Sequence, residues 1–187
     1  MIIHVVDDDE ALRTALGRLL QAEGYEVRTY GSAGDFLLKS PSSGCVVLDL
    51  RMPGPSGLEL QKALAMPVVF LSGEGDVASS VLAMKAGAVD FLTKPVDPAR
   101  LLAAVKAALA RGAEQREREN LRARHGALTP RERAVFEHVV AGKSNKTIAR
   151  SLSITERTVK MHRAQVMAKM QVGSLADLVR AAESLKT

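Results

Sequence analysis

The chain has 187 residues and a mass of 20.0 kDa, more than one minimal domain and room for two small ones. A single cysteine excludes a disulfide scaffold, and no run approaches the ~18 apolar residues of a bilayer span. No basic-then-apolar leader opens the chain, so the expected setting is the cytoplasm, away from any membrane. The formal net charge of +5 is unevenly spread: residues 1–110 hold 10 Lys/Arg against 13 Asp/Glu, and residues 111–187 hold 16 against 8. Positive charge concentrated in the C-terminal part is expected of a nucleic-acid partner, and also of solvated Arg/Glu helices.

Along residues 1–110, short β-branched runs alternate with helical stretches. Ile2 to Val6, Glu26 to Tyr30, Cys45 to Asp49, Val68 to Leu71 and Val89 to Thr93 are the expected strands. Between the first two, Leu12, Leu16, Leu19 and Leu20 fall on the apolar stripe of an amphipathic helix over Glu10–Glu23, which Gly24 ends. Further helices fit at about Ala33–Lys39, Ser56–Ala65, Asp76–Ala86 and Asp97–Arg111. Five β-α units imply a doubly wound parallel sheet covered on both faces, with the first, third and fourth strands central because they are the most continuously apolar. In a flavodoxin-like order 2-1-3-4-5, the crevice lies beyond the carboxyl ends of strands one and three.

The polar residues at that edge carry the chemistry. Asp7, Asp8 and Asp9 follow strand one, Asp49 ends strand three, Ser72 follows strand four and Lys94 follows strand five. One helix cap needs one carboxylate, and Asp9 suffices for it. Asp49 closes the apolar run Val46-Val47-Leu48, where a carboxylate has to be ligated or paired. Clustered carboxylates repel unless a hard divalent cation lies among them, and oxygen-only ligands favour Mg²⁺.

These residues, with Leu50-Arg51-Met52-Pro53-Gly54, Lys85-Ala86-Gly87-Ala88-Val89-Asp90-Phe91 and Thr93-Lys94-Pro95, resemble the receiver domain of a two-component response regulator of the FixJ family over nearly all of residues 1–110. The resemblance implies that Asp49 accepts a phosphoryl group. It further implies that Asp7, Asp8, Asp49 and the Arg51 backbone carbonyl hold Mg²⁺, for which Mn²⁺ can substitute. Ser72 and Lys94 would bind the phosphate, and Phe91 would be the switch aromatic. The residue types suit the reaction, which needs an in-line carboxylate nucleophile and neutralisation of the transferring oxygens. Three departures stand out: Ser72 replaces the commoner threonine, Val96 stands where an aromatic is frequent, and Leu64-Ala65-Met66-Pro67 is a short connection into strand four.

Arg111 to Gly126 contains the charged run Glu114-Gln115-Arg116-Glu117-Arg118-Glu119 and reads as a solvated linker, helical in part, into which the fifth helix can continue. Thr129-Pro130-Arg131-Glu132 is a helix start with a cap, a proline at the first position and a glutamate three residues after the cap. A helix from Pro130 to about Ala141 follows, then Asn145–Leu152, a turn at Ser153-Ile154, and a third helix from the Thr155 cap to about Met170. Two short helices joined by a tight turn suggest helix-turn-helix. On a wheel, Val159, His162, Val166 and Met170 form one side of the third helix, the expected core. Arg157, Lys160, Met161, Ala164 and Ala168 form the other, slim and basic enough for a major groove.

Leu128-Thr129-Pro130-Arg131-Glu132, Gly142-Lys143-Ser144-Asn145-Lys146-Thr147-Ile148-Ala149 and Ile154 to His162 resemble the LuxR-type DNA-binding module from about Ala127 onward. The resemblance implies a four-helix all-α domain over 127–187, joined by the 112–126 linker to a receiver over 1–111, with a dimerising helix at Ser174–Leu185. Asn145, Lys146, Arg157, Thr158, Lys160, Met161 and Ala164 are the residues it points to for DNA, and Gln165 departs from a frequent asparagine. The partners implied are a sensor histidine kinase, double-stranded DNA with inverted half-sites, a second copy when phosphorylated, and RNA polymerase. Six aromatics are too few for a stacking platform, which disfavours RNA. Cys45 reads as a small apolar filler, and the four histidines share no metal-ligand spacing. Two other readings remain open: a phosphorylation-independent DNA-binding regulator with a vestigial receiver, and an aspartyl-phosphate phosphatase. The second is disfavoured by Arg51, where such enzymes carry a second carboxylate.

Overall fold

The computed structural model describes residues 1–39, 41–73 and 77–186, and divides into compact units at Met1–Glu114 and Gln115–Thr187. In the first unit, strands β1 (Ile2–Val6), β2 (Glu26–Tyr30), β3 (Cys45–Asp49), β4 (Val68–Ser72) and β5 (Asp90–Thr93) form one parallel sheet in the order 2-1-3-4-5. Helices α1 (Glu10–Ala22), α2 (Ala33–Lys39), α3 (Gly57–Ala63), α4 (Val77–Lys85) and α5 (Pro98–Gly126) alternate with them. Every residue of β3 and β4 is buried, while β2 and β5 at the edges are partly open, the pattern their apolar continuity dictates.

Alternation along the central strands builds two cores. Ile3, Val5, Val47, Val69 and Leu71 face α1 and α5, whereas Val6, Val46, Leu48, Val68 and Phe70 face the other way, toward residues such as Phe36, Leu60 and Ala83 of α2, α3 and α4. His4 is buried in this sheet for a structural reason. Its Nε2 donates to the Ser43 carbonyl at 3.0 Å, its Nδ1 lies 3.1 Å from the Tyr30 hydroxyl, and its ring packs edge-on against Phe36. Burial pushes its pKa down, which favours the neutral ring.

The third helix is shorter than the sequence suggests, and the fifth runs to the far end of the expected linker. The third helix is only seven residues long, because Ser56 and Glu59 close a capping box at its start and Leu64 leaves helical geometry at its end. That accommodates the short connection: Met66 is buried and the Pro67 carbonyl accepts from Val46 N at 2.9 Å, so the chain enters β4 directly. The fifth helix continues through the charged run to Gly126, as Glu- and Arg-rich sequence favours. Asp76, expected to begin the fourth helix, lies outside the described residues.

The second unit packs α6 (Pro130–Val140), α7 (Asn145–Leu152), α8 (Glu156–Met170) and α9 (Leu175–Ser184) around Val135, Phe136, Val139, Ile148, Val159, Val166, Met170 and Leu178. Thr129, Ser144, Thr155 and Ser174 each cap a helix through a side-chain oxygen, and Thr129 with Glu132 completes a capping box. Glu132 is buried and its carboxylate accepts from Lys169 Nζ at 2.7 Å, tying the start of α6 to the end of α8. The turn between α7 and α8 depends on Ser153, which adopts a left-handed conformation at φ 54°. His162, expected in the core, is only half-buried. Its Nδ1 lies 3.2 Å from Gln165 Oε1, a polar contact at the helix margin that a wheel cannot distinguish from a core position.

Candidate functional site

Parallel register brings the carboxyl ends of the strands level, so residues far apart in sequence meet beyond β1, β3, β4 and β5. Asp9 is occupied as the cap of α1, accepting from Ala11 N at 2.9 Å and Leu12 N at 3.1 Å. Asp7 is fully buried: its Oδ1 accepts from Asp9 N at 2.9 Å and its Oδ2 lies 2.8 Å from Lys94 Nζ. The turn that carries it is fastened by Asp7 N donating to the Tyr30 carbonyl at 3.2 Å, and by Arg13 Nη1 donating to the Asp7 carbonyl at 2.6 Å. Asp8 is exposed beside it.

Asp49 ends β3 with only 5% of its surface exposed. Its Oδ1 accepts from Arg51 N at 3.3 Å and its Oδ2 accepts from Lys94 Nζ at 3.0 Å. Burial holds the Asp49 carboxyl above the usual range, the Lys94 bond pulls it back, and the charge of Asp7 pushes it up again. Burial works against the Lys94 ammonium too, but bonds and charge from Asp7 and Asp49 outweigh it and raise its pKa. Lys94 thus bridges the two buried carboxylates, and its own N–H donates to the Ser72 carbonyl at 2.7 Å. Ser72 is buried at the end of β4, its hydroxyl donating to the Gly73 carbonyl at 3.3 Å. Phe91 on β5 is half-buried, its ring centroid 6.2 Å from that of Phe70.

One oxygen from each of Asp7, Asp8 and Asp49 lies within 4.8 Å of the others. Three converging carboxylate oxygens, one of them from the fully buried Asp7, are the kind of donor set that a hard divalent cation takes. The arrangement joins a buried strand-end carboxylate, two neighbouring carboxylates, a hydroxyl and an ammonium.

A glycine under the site was not apparent in the sequence. Gly57 donates its N–H to the Leu50 carbonyl at 3.1 Å, and a Cβ there would come 2.5 Å from the Asp49 carbonyl oxygen and 3.0 Å from the Phe70 ring. Its φ is not in the left-handed region, so close approach, not backbone freedom, demands glycine.

In the second unit, Arg157, Lys160, Met161 and Ala164 lie exposed on α8, and Lys146 lies exposed near the start of α7. Thr158 is half-buried, its hydroxyl 2.8 Å from that of the Thr155 cap. Asn145, the first residue of α7, is half-buried and its Oδ1 accepts from Arg163 Nη1 at 2.7 Å, a partner that sequence reading did not single out.

Residues 3–106 match the response regulator receiver domain family, and residues 126–182 match the bacterial regulatory proteins of the luxR family. Transcriptional regulatory protein FixJ of Azorhizobium caulinodans is 48% identical over 191 residues, covering 96% of this chain and 90% of its own. Response regulator protein TmoT of Ectopseudomonas mendocina is 42% identical over 99% of this chain and 89% of its own. Among solved structures, the response regulator StyR superimposes with a TM-score of 0.74 at 42% identity, covering 97% of this chain and 98% of that one. Full-length FixJ from B. japonicum does so at 0.59 and 43%, covering 99% and 97%. A receiver sheet with its acidic cluster, a helix-turn-helix unit and likeness along nearly the whole length place the chain in the FixJ family of two-component response regulators, a receiver domain joined to a LuxR-type DNA-binding domain.

Proposed function

We propose that Asp49 is the phosphoacceptor and that phosphorylation there controls dimerisation and DNA binding. The observation that carries this reading is the convergence of Asp7, Asp8, Asp49 and Lys94 at the crossover between β1 and β3. An Asp49 carboxylate oxygen attacks the donor phosphorus, and the bond to the donor's leaving group breaks. The donor is a phosphohistidine of a sensor histidine kinase or a small acyl phosphate, and the product is an aspartyl phosphate. Asp7, Asp8, Asp49 and the Arg51 carbonyl would hold Mg²⁺, with Mn²⁺ able to replace it. The bound ion supplies positive charge to the transferring oxygens. Lys94 supplies a second positive charge and Ser72 a hydroxyl donor. Hydrolysis of the aspartyl phosphate returns Asp49 and inorganic phosphate, so the chain resets without turning over a separate substrate.

Phosphate at Asp49 biases a bistable element, read out through Phe91 and the face of α4 and β5. Val81, Leu82 and Met84 are 48%, 57% and 46% exposed on α4, which suits that face to cover by a second copy. On this reading the receiver spans 1–111, the linker 112–126 and the DNA-binding domain 127–187. The homodimer spans inverted half-sites of double-stranded DNA in the cytoplasm, where RNA polymerase is the further partner. Asn145, Lys146, Arg157, Thr158, Lys160, Met161 and Ala164 are the DNA-facing set, with the exposed α8 residues in the major groove.

Intact-mass and peptide mass spectrometry after incubation with a small acyl phosphate tests the site. One phosphoryl group on Asp49, dependent on Mg²⁺ and absent from Asp49→Asn, is expected. Labelling of Asp49→Asn at the native rate overturns the assignment.

A further inference from the structure

Asn145 begins α7, whose cap is Ser144. Its side-chain amide has one acceptor end and one donor end, and which end faces outward decides what it can bind. Arg163 of α8 settles the choice. A guanidinium donates and cannot accept, so the oxygen of Asn145, not its nitrogen, must meet Arg163 Nη1 at the observed 2.7 Å. Charge assistance at that distance makes the bond a strong one. The Nδ2 end of the amide is then the end not engaged by Arg163, and the next residue, Lys146, is exposed.

Arg163 itself sits on the flank of α8. Taking 100° per residue, it falls between the core row of Val159, Val166 and Met170 and the exposed row of Arg157, Lys160 and Ala164, and it is half-buried. That location turns its guanidinium toward α7.

The geometry points to Arg163 as a positioning residue for DNA binding. By occupying the Asn145 oxygen it fixes that amide as a donor toward a phosphate oxygen, which is always an acceptor, so Asn145 grips the backbone and does not read a base. This rests on the reading that α7 and α8 form the DNA-binding surface, and it takes Asn145 out of the set that sets sequence preference. A phosphate contact weakens binding to all sequences alike, so an ordinary duplex of unrelated sequence is a sufficient probe.

The experiment is fluorescence anisotropy of the full chain on such a duplex across a salt series, with thermal melts of each variant. Asn145→Ala should lose about ten- to a hundredfold in affinity, the worth of one net hydrogen bond to a charged acceptor. Because an amide carries no charge, its salt slope should match that of the wild type. Arg163→Met should lose a similar factor with little change of slope, and adding it to Asn145→Ala should cost nothing further. If the Arg163 charge instead neutralised a phosphate directly, the slope would fall by about 0.9 and the two losses would add, which overturns the proposal. Asn145→Asp separates a donor from a mere tie between helices: it keeps an acceptor for Arg163 but turns a second carboxylate oxygen toward the DNA. The donor reading expects a larger loss than for Asn145→Ala, and wild-type affinity from Asn145→Asp overturns it. Should Arg163→Met lower the melting temperature, Arg163→Lys, which keeps a donor for the Asn145 oxygen, is expected to restore folding and most of the affinity. Failure of the wild type to bind any duplex in a salt-dependent way would instead overturn the DNA-surface reading itself.

Discussion

Replacing Gly57 by alanine puts a methyl group where the structure has none to spare. The added Cβ would stand 2.5 Å from the Asp49 carbonyl oxygen, 3.0 Å from Phe70 Cε1 and 3.1 Å from Leu50 Cα. Favourable carbon contacts lie at about 3.5–4.0 Å, so the start of α3 or the end of β3 has to move by roughly an ångström. Neither neighbour yields easily, because Asp49 and Leu50 are backbone in a buried strand end and Phe70 is fully buried. Overpacking of this kind costs about 1–3 kcal/mol, while alanine returns at most about 1 kcal/mol in helix propensity. The net expectation is a loss of about 1–2 kcal/mol. At roughly 4–8 °C per kcal/mol for a domain near 100 residues, the receiver transition should fall by several degrees.

The same displacement has a chemical consequence, since the carbonyl that must move belongs to the proposed phosphoacceptor. Shifting it alters the 3.0 Å contact between Asp49 Oδ2 and Lys94, and phosphoryl labelling should slow by about 10–100-fold, as misplacements near an ångström do. Differential scanning calorimetry and the rate of labelling by a small acyl phosphate measure the two effects. Gly126→Ala serves as the control, because a Cβ there meets nothing within 4 Å. A Gly57→Ala protein that melts at or above the wild-type temperature and labels at the wild-type rate would refute the argument.

Asp8→Ala removes a charged oxygen from the proposed Mg²⁺ site, so a calorimetric Mg²⁺ titration should show weaker binding, and an unchanged isotherm would contradict the proposed ligand. Lys94→Ala should still label in part but fail to dimerise, because the contact that distinguishes the two states is gone. Light scattering with an acyl-phosphate mimic decides, and normal dimerisation would sink the idea. Glu132 is held below its ordinary carboxyl value of 4.5 by the Lys169 bond and by the Thr129 N–H. Its folded pKa is therefore lower than its unfolded one, and its contribution is present above that value and lost as the pH falls through the depressed one. Glu132→Gln should flatten the acid limb of stability below pH 4.5, and an equally steep limb in circular-dichroism melts argues against the pairing. Lys160→Ala should weaken operator binding by roughly 1–3 kcal/mol if it reads a base edge, with footprinting at high and low salt as the check.

Much of this architecture was legible because it follows from local rules. Apolar runs such as Val46-Val47-Leu48 mark central strands, and their parallel pairing carries Asp7, Asp49, Ser72 and Lys94 to one edge without any knowledge of distances. Caps at Thr129 and Thr155 fixed where α6 and α8 begin. What stayed hidden depends on tertiary proximity. The Glu132–Lys169 pair spans 37 residues and Arg163–Asn145 spans 18, and neither has a periodic signature. His162 shows the limit of the wheel. The wheel groups it with Val159 and Val166, yet it is only half-buried and its ring nitrogen meets Gln165.

The resting partner of Lys94 was also beyond sequence, and it bears on how the switch works. A lysine assigned only to bind phosphate would be expected to stand ready for it, but here its ammonium already bridges Asp7 and Asp49 at 2.8 and 3.0 Å. Without that bridge, two buried carboxylates would face each other with their repulsion uncompensated. On the proposed function, Asp7, Asp8 and Asp49 would hold a cation that supplies part of this neutralisation, and Lys94 would then be available to the phosphoryl oxygens. Because Lys94 N–H is bonded to the Ser72 carbonyl, any movement of its backbone is carried into the end of β4. On the proposed function, the switch is therefore an exchange of partners by one ammonium, from two carboxylates to one phosphate. Metal binding and phosphorylation are then coupled through the same charge, and Mg²⁺ should stabilise Lys94→Ala against heat more than it stabilises the wild type.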